Sequence, residues 1–560
     1  MKYNKYIVPL LLIIWGCANR IQPTGGPKDE DPPKVVISQP QYGERNYTSQ
    51  EVVIEFDEFI NLRNLKEQLI ITPRINGDYD FKINKRTVSL EFEEPFADST
   101  TFTLNFREGI VDITESNPAE NLLLAFSTGN LLDTLEITGT LIDLMTKAPI
   151  GSAIIGLYPI DDTLDIFTGP PYYFTQTNKN GNYVFKNIKD GDYRLYAFED
   201  GNKNLVCQSE REAYAFQPEP ITLDTAYIAD TLNLQFLNID TLKLTRTGVS
   251  GRYFNVYANK YLMHAKLLAE NDSVITFKYN DDHKSLKVYN TFSIKDSLKI
   301  FAELQDSLGV IAQDTFYLKF IESSRKADEY QVTFEEAVGS LKNKRINGKI
   351  TFSKPLQSIT LDSIVIKKDS ITQYLIAQSF SYKLDSLEHI LEYSIDIPQE
   401  VLDTLNKKPD TKNMAKGKGS KGAGGKATYN LYFPKGSFMS IENDSSQASN
   451  KQLKFIAPEM VGLINGSITT SYDSFTIQLL DSKMVVVKEH KNEKTYSFDE
   501  VQPGEYLIRV LIDENGNGKW DMPDIRNNIP AEKVVLYKDE TGASKTVIRA
   551  NWEVTIDLSF

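Results

Sequence analysis

The stretch FKNIKDGDYRLYAFEDGNKN (185–204) aligns without gaps on FDEVQPGEYLIRVLIDENGN (498–517), an offset of 313 residues throughout. Phe185 meets Phe498, Gly191 meets Gly504 and Tyr193 meets Tyr506; Asp200, Asn202 and Asn204 meet Asp513, Asn515 and Asn517. In each copy the run around the tyrosine alternates apolar with polar residues, the mark of a strand buried on one face. Upstream, ITGTLI (137–142) meets INGSIT (464–469). A β-rich unit therefore occurs twice, and the repeat organises everything around it.

A weaker repeat precedes each copy. TFTLNFREGIVDI (101–113) aligns on TYNLYFPKGSFMS (428–440), and VIEFDEFI (53–60) resembles KITFSKPL (349–356). Between the two pairs lie further strand-like runs, such as SLKIFAEL (297–304) and DTFYLKF (314–320). Helical periodicity is scarce, with one short candidate near Leu62–Leu69. Tyr and Phe number 29 each against 8 Met, a strand-favouring bias. A chain of 560 residues is too long for one core, so about three to five domains are expected. The expected fold is all-β: serial β-sandwiches, a two-domain unit repeated twice around a middle β domain.

Two family resemblances give these blocks an expected character. Pro40 and Gly43, the F-x-E element at Phe56 and Glu58, and GIVDITESNP followed by FST (109–128) resemble an S-layer-type bacterial Ig-like domain. Glu115-Ser116 departs from the glycine usual there. The F-x-x-[VI]-x-x-G-x-Y-x-[LI] element shared by the two long repeats resembles the carboxypeptidase-regulatory, transthyretin-like sandwich. It implies Gly191 and Gly504 in a turn of positive φ, with Tyr193, Tyr506, Leu195 and Ile508 in the core. The expected divisions are a leader (1–16), a lipidated Cys and tether (17–33), an Ig-like domain (34–129) and a transthyretin-like sandwich (130–229). A middle β domain (230–325), a second Ig-like domain (326–457) and a second transthyretin-like sandwich (458–560) follow. The Lys/Gly run at 406–426 reads as a disordered loop inside the second Ig-like domain. Both families are binding or spacer modules, so the resemblance implies no enzyme.

The richest oxygen cluster is DENGNGKWDMPD (513–524). Asp513, Asn515, Asn517 and Asp521 supply side-chain oxygens at Ca²⁺-loop spacing, Lys519 a backbone carbonyl, and Asp524 closes the shell. Asp524 stands where an EF-hand has a bidentate Glu, and Pro523 disfavours a following helix, so a Ca²⁺ loop on a β domain is expected rather than an EF-hand. The same residues also suit a turn whose carboxylates cap their own backbone. The earlier copy, DGNKNLVCQSER (200–211), has Leu205 at the glycine position and Arg211 at the closing one, and is expected to hold metal poorly. The four histidines are scattered, the sequence has no GxSxG or P-loop motif, and no GxGxxG follows a strand. GPPYYF (169–174) is an insertion missing from the second copy; Tyr172, Tyr173 and Phe174 form a possible contact patch, or pack on their own domain.

The opening MKYNKYIVPLLLIIWGCANR carries Lys2 and Lys5, an apolar run from Ile7 to Trp15, and a single cysteine, Cys17. The run is too short to span a bilayer. Ile14-Trp15-Gly16-Cys17 resembles a bacterial lipobox, and the Pro/Gly stretch to Pro33 resembles the tether of lipoproteins of the Bacteroidota. Cys17 is thus expected to carry the N-terminal diacylglycerol and acyl lipid (palmitate among the candidates) and to anchor the chain in the outer membrane, facing the periplasm or the cell surface. Cys207, the only other cysteine, would have no intramolecular disulfide partner. With 62 basic and 76 acidic residues the net charge is −14, which disfavours nucleic acid as a partner. Two non-enzymatic functions fit: a multi-domain binding or scaffold protein, such as an accessory subunit of an outer-membrane β-barrel complex, or a cell-surface glycan-binding protein or adhesin.

Overall fold

The computed structural model describes residues 30–120, 122–291, 297–369, 371–385, 387, 389–406 and 428–560. The leader, Cys17, most of the tether and the Lys/Gly run beyond Asn406 lie outside the described residues. The chain falls into two compact units: one comprises residues up to 141, 149–207 and 219–232, the other 142–148, 208–218 and 233–560. Strands dominate both; the α-helices among the described residues are Leu65–Gln68 and Gln399–Asn406.

The first unit opens with a sandwich. One sheet has the order Val35–Gln39, Glu51–Phe56, Thr87–Phe92, Tyr79–Asn84; the facing sheet has Ile70–Thr72, Thr101–Asn105, Leu123–Ser127. A third pair, Ile60–Leu62 with Ile110–Asp112, closes one end. Val52, Ile54 and Phe56 alternate inward, where they meet Phe102, Leu104 and Phe126. The departure at Glu115-Ser116 is accommodated locally. Ser116 takes φ +64°, and the Asp112 carboxylate accepts the backbone N–H groups of Glu115, Ser116 and Asn117. Burial of Asp112 opposes its ionisation, but these donors outweigh it and hold its pKa below the usual carboxylate value.

The second sandwich follows in the same unit. Strand Leu135–Asp143 pairs with Asn182–Ile188 antiparallel and with Tyr227–Ile228 parallel. Ile154–Pro159 lies between Tyr173–Gln176 and Gly191–Phe198.

The other unit holds three sandwiches. The middle block is one of them: Leu244–Ser250, Tyr253–Ala258, Ser285–Val288 and Phe277–Tyr279 face Leu262–Ala269, Leu298–Asp306 and Ile311–Leu318. The next repeats the topology of the first sandwich, with Ile350 opposite Leu391 where the first has Ile54 opposite Val88. Its end pair aligns Leu356 with Ser440 as Ile60 aligns with Asp112. The ungapped sequence alignment therefore slips by one residue after Phe106 and Phe433, because the second copy has one residue more in that turn.

The last sandwich repeats the second, register included. Ile137 opposes Phe185 and Ile464 opposes Phe498; the parallel partners are Ile137 with Tyr227 and Ile464 with Val554. Tyr193, Leu195, Tyr506 and Ile508 are all buried, and each tyrosine donates its hydroxyl to the carbonyl four residues back, Lys189 or Gln502. Gly191 has φ +151°, but Gly504 is not among the positive-φ glycines. A β-carbon at Gly504 would meet the Tyr506 ring at 3.4 Å, an ordinary contact, so neither φ nor crowding demands glycine there.

One device recurs three times. Tyr183 lies across Gly139, Tyr393 across Gly348 and Tyr496 across Gly466, each directly opposite on the neighbouring strand. A β-carbon at Gly139 or Gly348 would stand 2.2 or 2.3 Å from the tyrosine hydroxyl.

Candidate functional site

The 513–524 loop is built on carboxylates that hold backbone. Asp513 is 6% exposed; its Oδ1 accepts Gly516 and Asn517 N–H, and its Oδ2 accepts Gly518 N–H and the Ser474 hydroxyl. The Ser474 bond, with the backbone donors, holds its pKa below the carboxylate norm. Glu532 accepts Glu514 and Asn515 N–H on one oxygen and Asp521 N–H on the other. Asp524 caps the 3₁₀ turn Ile525–Asn527. The side chains of Asn515 and Asn517 converge on Asp521, which also pairs with Lys519 at 3.0 Å.

The earlier copy adopts the same turn. Asp200 accepts Asn204 and Leu205 N–H, and Lys203 and Leu205 take positive φ where the later copy has Gly516 and Gly518. Two non-glycine residues in the left-handed region show that the capping aspartate, more than glycine, sets the loop. Among the described residues, no group of three or more His, Cys, Asp or Glu is placed to hold a metal ion.

The GPPYYF insertion is spent mostly on packing. Tyr173 is 3% exposed and Tyr172 and Phe174 are half-buried; Tyr172 and Tyr173 meet edge to face at 4.9 Å, and Tyr173 contacts Tyr193. The Tyr172 carbonyl accepts Arg74 N–H, and the Arg74 guanidinium donates to the Pro170 carbonyl at 2.9 Å. The aromatic run thus joins the first two sandwiches instead of standing free. Arg107 adds to this joint, donating to the Gln68 and Glu67 carbonyls and to the Gln176 side chain.

A second joint lies in the other unit, between the middle sandwich and the one after it. Lys354, with 1% of its side chain exposed, sits 2.7 Å from both Glu442 and Asp444. Tyr253 donates to Glu442 at 3.2 Å and accepts Asp328 N–H; Lys287 pairs with Asp328 at 2.6 Å. Burial works against the Lys354 ammonium, but bonds to Asp444 and Glu442 win and raise its pKa. Burial likewise works against the Asp444 carboxylate, and the Lys354 and Ser440 donors win and lower it. The next joint uses Glu500, reached by Ser340 and Asn343, and Asp499, paired with Lys342 at 3.0 Å. The sequence signal for the Lys354 joint was FSKPL, where the first copy has FDEFI: a lysine at the site of Glu58.

The histidines are dispersed. His283 stacks between Tyr261 and Tyr279, His389 lies 3.1 Å from Asp385, and His490 lies 3.2 Å from Glu493. Cys207 is buried and unbridged by a disulfide.

Residues 29–128 match the bacterial Ig-like domain family, and residues 459–546 match a family described as an uncharacterized protein conserved in bacteria (DUF2141). A bacterial Ig-like domain is a non-catalytic kind of module. No curated protein matches the chain. Among solved structures, the Bacillus anthracis TIE protein is 9% identical, with 95% of this chain and 75% of that one covered and a TM-score of 0.13. The S-layer protein SbsC is 10% identical over 91% of this chain and 67% of its own, with a TM-score of 0.15. A DUF3823 family protein from Bacteroides uniformis is 8% identical over 34% of this chain and 100% of its own, with a TM-score of 0.12.

Proposed function

We propose that the chain is a non-enzymatic scaffold, held at the outer membrane by lipid on Cys17 and presenting its sandwiches to a protein partner there, such as a β-barrel complex. The observation that carries this is the construction of the joints. Neighbouring sandwiches within each unit are bonded through Arg74, Arg107, Tyr253 and Glu500, where freely moving domains would be strung on open linkers. The lipobox-like WGC and the Pro/Gly tether supply the attachment. Among the described residues no helix is long and apolar enough to cross a membrane. Cys17→Ser is expected to move the protein from the detergent phase to the aqueous phase on Triton X-114 partition and to abolish incorporation of labelled palmitate. Retention in the detergent phase would overturn the anchor. Crosslinking in intact membranes followed by purification tests the partner; recovery of no β-barrel protein would remove it from the proposal.

The same proposal gives the 513–524 loop a weak Ca²⁺ site, centred on Asp521 with Asn515 and Asn517 turning their oxygens inward. Calorimetric titration of the whole chain with CaCl₂ is expected to show a Kd of about 10⁻⁴–10⁻³ M. Asp521→Asn is the informative variant, since Asp513→Ala would also unpin the loop backbone. Absence of heat in the parent protein would leave the loop its capping role alone.

A further inference from the structure

We propose that a cavity beside this loop binds a neutral saccharide. The cavity, of about 410 Å³, lies within the unit that holds the last three sandwiches. Segment 519–526 of the last sandwich forms one wall; residues 239–241, Lys260 and the hairpin turn 307–310 of the middle sandwich form the other. The volume is in the range of small-ligand sites.

Three features select the ligand class. First, Trp520 is half-buried and its indole N–H donates to the Glu532 carbonyl at 3.0 Å, which fixes the ring at the cavity wall beside Met522 and Leu308. A held aromatic ring offers a flat apolar face to the C–H groups of a sugar. Second, the lining charges balance: Lys260, Lys519 and Arg526 against Asp240, Asp521 and Asp524. The cations are already engaged. Lys260 bonds Asp306 and the Asp240 carbonyl, Lys519 pairs with Asp521, and Arg526 donates to the Ile239 carbonyl. A charged ligand would gain no net attraction from this wall and would meet groups of its own sign. Third, Gln305, Ser307 and Asp521 bring both donors and acceptors to the lining, which suits hydroxyl groups that do both. The site differs from the GPPYYF patch, and it stands whether or not Cys17 carries lipid.

The test is calorimetric titration of the full chain with cellobiose, chitobiose, mannobiose and, as the charged counterpart, digalacturonic acid. At least one neutral disaccharide is expected to bind with a millimolar Kd. Trp520→Ala is expected to weaken it by about tenfold or more. Gln305→Ala, on the opposite wall, guards against a local collapse of the 519–526 segment and is expected to weaken binding several-fold with an unchanged melt. No heat from any neutral disaccharide at 20 mM, stronger binding of the acid, or affinity untouched by both variants would each overturn the proposal.

Discussion

Gly466→Ala is expected to destabilise the last sandwich by about 3–5 kcal/mol, the largest effect of any single methyl group in that domain. A β-carbon at Gly466 would stand 1.8 Å from the Ile556 carbonyl oxygen and 2.6 Å from its carbon. The obstruction is backbone and cannot swing aside. Ile556 N–H is bonded to the Asn465 carbonyl at 2.8 Å, and its own carbonyl accepts the Tyr496 hydroxyl. Relief therefore requires parting Leu463–Asn465 from Glu553–Thr555, the parallel closure of the sandwich. Gly504→Ala is the control: it also lies in a strand of this domain, Gly504–Ile512, where a β-carbon would make only an ordinary contact with the Tyr506 ring, and should stay within about 1 kcal/mol of the parent. Denaturant melts followed by tryptophan fluorescence report on this domain through Trp520 and Trp552. Equal midpoints for the two variants would sink the argument.

Lys354→Met is expected to cost about 3 kcal/mol, at the low end for breaking a buried pair because Asp444 keeps 37% of its side chain exposed. The loss comes from what remains: two carboxylates and a tyrosine hydroxyl facing an apolar thioether. Adding Glu442→Gln and Asp444→Asn should recover most of the stability, since the variant then leaves no unpaired charge. The pH dependence follows from the two shifts. Asp444 has a depressed pKa, so its contribution is present above the ordinary carboxylate value of about 3.9 and is lost as pH falls through the lowered one. Lys354 has a raised pKa, so its contribution is present below about 10.4 and is lost as pH rises through the raised one. The parent should therefore lose stability between about pH 4 and pH 2 more steeply than Lys354→Met. Parallel acid profiles would show that the cluster does not act as a charge-paired joint.

The sandwiches were legible because alternation is local: Val52, Ile54 and Phe56 announce a buried face within six residues. The repeat was legible for the same reason, and its register held across both copies. A third I-x-G signal, INGKIT at 346–351, runs into the KITFSKPL stretch that matches the first Ig-like copy and is masked by it; only the pairing of Gly348 with Tyr393 shows what it shares with INGSIT. The oxygen-rich loop stands out in the sequence, but a chelating loop and a self-capping loop draw on the same residues, and spacing does not say which way an Asn turns. The joints and the Trp520 cavity were out of reach for a different reason. Arg526 and Ile239 are 287 residues apart, and no local pattern marks residues that meet over such a separation.

The parallel closure also sets a clock. Ile137 finds Tyr227, and Leu463 finds Glu553, only 90 residues downstream; in the fourth sandwich Val338 waits 116 residues for Lys454. At ribosomal speeds of roughly 5–20 residues per second, each opening strand keeps one edge bare for about 5–20 s before its partner has been made. A bare edge invites pairing with another chain. Each of these three nascent sandwiches thus passes through a period of exposure built into its topology, and a chaperone that shields strand edges would act on it before the closing strand arrives.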